Sequence, residues 1–162
     1  MSSSLAVSPS GARRWLAAAP FIVTGAIAVA AWVALALVAA PLLAAEGGWL
    51  AAYLGLIAGA AQVALGGGQA WLALQPPEFE HCAYAWAALN LGNVGIIAGS
   101  LLGAFWIVVA GTAAFVLALA LFTLGVRRTA RPLARVPYWA LLVFLAVMAL
   151  VGLIFAVVQF RA

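Results

Sequence analysis

Between Ala83 and Val126 the chain carries neither a charged residue nor a proline. A single α-helix over that tract would be about 65 Å long, roughly twice the ~30 Å hydrocarbon core of a bilayer. Composition decides the solvent. The chain is 69% hydrophobic and only 6% charged, with mean hydropathy +1.25, whereas an ordinary soluble domain is about a quarter charged. Such a chain belongs in lipid, and there the neutral tract must fold back or protrude.

Folding back is the better reading. Trp86 and Trp106 lie about 30 Å apart along a helix, and tryptophan favours membrane interfaces, so the pair is read as marking opposite belts. From Trp106 a second leg reaches Arg127 and Arg128 after a similar distance. The reversal is expected around "GSLLGAF", where Gly99, Ser100 and Gly103 are the weakest helix formers. The remaining spans follow from apolar runs: about residues 15–40, 49–74, 83–102, 104–126 and 137–160. Pro20 and Pro41 are read as bracketing the first. Pro76, Pro77, Pro132 and Pro137 fall in or beside connections, with Pro137 opening the last helix. Residues 1–12 are expected to form a disordered tail, and 13–162 a single domain. The uncharged run from Trp15 to Ala45 far exceeds the h-region of a signal peptide, so it is read as a retained span.

Charge gives orientation. All seven basic residues are arginines, set at the edges of apolar runs. That is a topology pattern rather than a nucleic-acid face. Arg13 and Arg14 precede the first span, while Arg127, Arg128, Arg131 and Arg135 fill "RRTARPLAR". Placing both groups in the cytoplasm requires an even number of crossings between them. The expectation is therefore an all-α, polytopic bundle of five transmembrane helices, N-terminus cytoplasmic, in a bacterial plasma (inner) membrane.

The third helix has two faces unsuited to lipid. Gly92, Gly95, Gly99 and Gly103 fall within about 80° of one another, a surface for close backbone packing. Asn90, Asn93 and Ser100 lie toward the other side and should meet neighbouring helices. Gln62, near mid-depth of the second helix, is their natural partner. These four polar residues form a candidate intramembrane site. "GGGQ" at Gly66–Gln69 reads either as a close-packing notch or as a loosened turn exposing carbonyls.

Catalytic chemistry is hard to assemble. There is no aspartate, no mid-membrane carboxylate, and one histidine, so neither a Ser/His/Asp triad nor a bis-histidine haem forms within the chain. One cysteine excludes an internal disulfide. Glu78, Glu80, His81 and Cys82 crowd into "QPPEFEHC", but adjacent residues do not easily converge on one ion, and no cofactor is expected. The expectation for this loop is that it lies on the cytoplasmic face beside the arginine loop, with Glu78 or Glu80 pairing with it or with a partner protein. Glu78, Glu80, His81, Arg127, Arg128, Arg131 and Arg135 are thus candidate partner- or lipid-contact residues.

The stretch "WLAAYLGLIAGAAQVAL", a short linker and "HCAYAWAALNLGNVGIIAGSLLG" resemble the haem–copper oxidase subunit I superfamily in its small four-to-five-helix relatives. The W-x-x-x-N-L-G element at Trp86–Gly92 is similar to the helix that follows the haem-bearing helix there. The similarity covers about Trp49–Val126. Where that family places histidine at the start of the second helix, this chain reads "GGWLAAYLG", so haem ligation does not carry over. What the resemblance implies is a helix-bundle scaffold near respiratory or redox proteins. Together these readings predict a small non-catalytic subunit or scaffold, in a homo-oligomer or larger membrane complex, whose partners are lipid and membrane protein rather than nucleic acid. The alternatives are a transporter or channel component with a polar site between helices 2 and 3, and a redox protein holding haem or quinone without histidine.

Overall fold

The structure, a computed structural model, describes residues 9–39, 46–75, 78–129 and 131–161. Helices dominate because a backbone in lipid has no water to bond and must satisfy itself. Helix α1 is Pro9–Ala39. The second span runs through three joined pieces: α2 (Glu46–Ala52), a π-helical stretch (Tyr53–Ala61) and α3 (Gln62–Leu72). Then come α4 (Phe79–Leu101), α5 (Phe105–Gly125) and α6 (Pro132–Arg161). The described residues contain five helical runs long and apolar enough to cross a membrane.

The neutral tract does fold back. Helix α4 ends in a Schellman motif: Ala104 N–H donates to Gly99 O (2.8 Å) and Gly103 N–H to Ser100 O (3.4 Å). Gly103 sits at φ 63°, the left-handed conformation such a cap requires. The chain enters α5 one residue after Ala104, and the two helices lie antiparallel. A Cβ on Gly95 would come within 2.8 Å of Gly111 Cα, and one on Gly99 within 2.6 Å of Val108 N. The backbones therefore touch where a side chain would have kept them apart. Gly103 supplies the turn.

Helix α1 runs along the second span, and α6 packs on α5. The first of these contacts uses Gly66, from the expected notch, and two glycines that the sequence reading did not single out, Gly55 and Gly59. Gly55 lies against the Trp32 ring, Gly59 against Val29 and Gly66 against Phe21. Within "GGG", Gly66 and Gly68 receive the rings of Phe21 and Tyr138, while a Cβ on Gly67 would meet nothing within 4 Å. The segment is regular α-helix, so it is a notch rather than a loosened turn. Phe21 then meets Phe122 edge-on, with centroids 5.2 Å apart, and Leu65, Leu89 and Leu145 complete the buried centre.

Both arginine groups lie at one end of the bundle. Arg14 Nη2 donates to Leu74 O (2.8 Å), and Leu74 N–H donates to Arg128 O (3.0 Å). Thr129 Oγ1 donates to Leu72 O (2.8 Å), closing a short bridge between the two connections.

Several boundaries differ from expectation. Helix α1 begins at Pro9, so residues 9–12 are helical and not tail; residues 1–8 and Pro41 lie outside the described residues. Pro20 falls inside α1. Proline is tolerated within membrane helices, and one turn on Thr24 Oγ1 back-bonds to Pro20 O (2.7 Å). Helix α6 opens on Pro132, not Pro137, because Pro132 has the preset φ of a first helical residue. Glu80, His81 and Cys82 belong to the first turn of α4, where an acid is favoured by the helix dipole.

Two measurements check this architecture. In a Cys82→Ser background, cysteines placed at Leu102 and Leu133, both well exposed, are expected to react with an impermeant maleimide from opposite membrane faces; labelling from one face would refute the reversal. In a glycine series read by unfolding in mixed micelles, Gly103→Ala is expected to cost about 1 kcal/mol and Gly111→Val about 1–3 kcal/mol. Gly67→Ala should be neutral or stabilising by about 0.5–1 kcal/mol.

Candidate functional site

Polar side chains gather at mid-depth, where three spans meet. Thr24 of α1 is near the middle of its span, as are Gln62 and Asn90 in theirs. Gln62 is 1% exposed; its amide nitrogen donates to Thr24 Oγ1 and, more weakly at 3.4 Å, to Asn90 Oδ1. Trp86 Nε1 donates to the same hydroxyl at 3.2 Å. Asn90 returns its own amide to Trp86 O one turn back (2.8 Å). A turn further along α4, Asn93 Oδ1 accepts from Tyr53 OH at 2.9 Å. The two ends of the π-helical stretch thus grip α4 at successive turns, Tyr53 through Asn93 and Gln62 through Asn90.

Gln62, Asn90 and Asn93 are brought together, but Ser100 is not: it is exposed near the end of α4, two turns beyond Asn93. Thr24, Tyr53 and Trp86 were missed. Trp86 does not mark a membrane belt. It lies about 10 Å into α4 from Phe79, and its indole finds a better partner in Thr24 than the interface would supply. At the arginine end, the rings of Trp71 and Trp139 are covered by Arg131 (4.6 Å) and Arg135 (5.2 Å).

Most of the network is satisfied internally, but three buried side-chain nitrogens in the bundle are not, those of Asn93, Gln69 and Trp139. Asn93 Nδ2, on a residue 4% exposed, and Gln69 Nε2, on a residue 2% exposed, have no hydrogen-bond partner among the described residues. Buried amide groups are costly without one.

The acidic and basic residues occupy the arginine end. Glu78 precedes α4 with extended backbone and exposed side chain, and Glu80 is exposed as well. Successive helical residues diverge by about 100°: Cys82 turns into the core, while His81 Nε2 donates to Leu121 O at 3.0 Å. The expected pairing of Glu78 or Glu80 with the arginine loop does not occur as an ion pair among the described residues. The two connections are joined instead by one backbone bond, Leu74 to Arg128, and by the Thr129 hydroxyl on Leu72 O. Between them is an open cavity of about 470 Å³, lined by Glu78, His81, Arg127 and Arg128 on its polar side and by Leu74 and Leu124 on its apolar side. No group of three or more His, Cys, Asp or Glu placed to hold a metal occurs among the described residues.

No known family model matches the chain, and no curated protein or solved structure is significantly similar to it.

The mid-depth network makes a sharp prediction. Thr24→Val removes the acceptor shared by Gln62 and Trp86 and should destabilise the bundle by about 1–2 kcal/mol. Ser100→Ala should leave the unfolding midpoint in detergent unchanged.

Proposed function

We propose that the protein is a non-catalytic, multi-pass component of the bacterial plasma membrane, acting as a subunit or scaffold for copies of itself or for larger membrane partners. The observation that carries this reading is that the mid-depth polar groups are directed at one another. An indole, a hydroxyl and two amides tie three spans together, which serves rigidity rather than turnover. The outer faces of α1 and α6 are broad and apolar, with Leu16, Ile27, Leu37, Val143, Leu150 and Phe155 all exposed. That surface suits lipid or another transmembrane helix. The arginine end faces the cytoplasm by the positive-inside rule. The motif resemblance read in Trp49–Val126 to small haem–copper oxidase subunit I relatives is the basis for proposing an assembly of the respiratory or redox kind. The one histidine is engaged with Leu121, consistent with a structural rather than haem-ligating part.

A second reading, a small transporter or channel component, is favoured by the unpartnered amide nitrogen of Asn93 beside Tyr53. It predicts a solute contacting the second and third spans at that level.

Purification from native membranes in mild detergent, followed by native mass determination, separates the two. The scaffold reading expects a stable homo-oligomer or co-purifying membrane subunits. A lone monomer whose reconstituted vesicles take up solute, with uptake lost in Asn93→Ala, would replace it by the second.

A further inference from the structure

The arginine block does two different jobs. Arg131 and Arg135 lie on tryptophan faces, and Arg14 is held by the Leu74 carbonyl. Arg127 and Arg128 instead line the open cavity, and their guanidinium groups make no hydrogen bond or ion pair among the described residues. Glu78 lines the same cavity and is equally unpaired. Opposite charges thus share one chamber without neutralising each other. The cavity volume, about 470 Å³, is in the usual ~300–1,000 Å³ range of small-ligand sites.

We propose that this cavity binds the headgroup of an aminophospholipid, its phosphate between Arg127 and Arg128 and its ammonium on Glu78. Three features select this ligand. Two guanidinium groups suit a phosphate diester, which they meet with paired N–H donors. The carboxylate in the same chamber repels a ligand that is only anionic and attracts one that also carries a primary ammonium with N–H donors. Gln75 and His81 complete the polar lining, while Leu74 and Leu124 are about half exposed, which gives acyl chains an apolar path away from the headgroup. A free phosphate would use the arginines and leave those leucines and Glu78 idle. The backbone bond from Leu74 to Arg128 and the bond from Thr129 to Leu72 tie together the two connections that line the cavity. Both connections lie at the end of the bundle where interfacial tryptophans place the headgroup layer.

The test uses the full-length protein, delipidated in dodecyl maltoside and titrated separately with phosphatidylethanolamine, phosphatidylglycerol and inorganic phosphate. Native mass spectrometry counts what is bound. The expectation is one phosphatidylethanolamine per chain, retained roughly ten-fold more tightly than phosphatidylglycerol, the discrimination of about one lost charge-assisted contact. Glu78→Gln, at an exposed position without an internal bond, should erase that preference while keeping lipid bound. Arg127→Lys with Arg128→Lys preserves charge and orientation but loses the paired donors, and should weaken both lipids. Wild-type preference for phosphatidylglycerol, unchanged lipid selectivity in Glu78→Gln, or unchanged affinity in the lysine variant would each overturn the proposal. So would displacement of the lipid by inorganic phosphate at equal concentration, which would assign the cavity to a soluble ligand.

Discussion

The reversal between α4 and α5 is the constraint on which the rest of the bundle depends. Only Leu102–Ala104 separate α4 from α5, so the turn must close the helix end's backbone bonds within three residues. The Schellman cap does this within Leu102–Ala104, at the cost of one left-handed residue, and Gly103 is the residue that adopts that conformation without strain. Because the chain reverses here, the arginines after α5 return to the same end as those before α1. The cavity, the backbone bridge and the tryptophan-covered cations are all products of that return.

Close packing and polar pairing divide the remaining work. Apolar surface gains little by leaving lipid for a protein interior of the same polarity, so association relies on dispersion at short range and on hydrogen bonds. Glycine supplies the first, between α4 and α5 and again between α1 and the second span. The mid-depth network supplies the second and adds direction. Dispersion alone would allow α1 to slide along its groove, whereas Thr24 must sit opposite Gln62 and Trp86 together.

Much of this was legible because bilayer thickness and helix rise leave few solutions. The five spans, the turn at "GSLLGAF" and the meeting of Gln62 with Asn90 all follow from length, charge placement and the cost of polar groups in hydrocarbon. Trp86 was misread because an interface preference is weaker than a buried donor's need for an acceptor. Thr24 and Tyr53 went unnoticed because each sits within an apolar run and carries no charge or amide to flag it. Gly55 and Gly59 have the same four-residue spacing as Gly95 and Gly99, so their contact with α1 was available to the same rule. The early starts of α4 and α6 are end effects: a first turn can be polar, or begin on proline, without leaving the helix. The π-helical stretch has no comparable sequence signature.

The three adjacent glycines of the second span carry a different lesson. Each would weaken a helix in water by about 1 kcal/mol, and one of them, Gly67, recovers nothing through contact. The helix persists there because Phe21 and Tyr138 cover the flanking glycines and, in a membrane, no water competes for its peptide groups. Its continuity is a property borrowed from the medium, and the place where Phe21 and Tyr138 dock is also where hydration would first fray the fold.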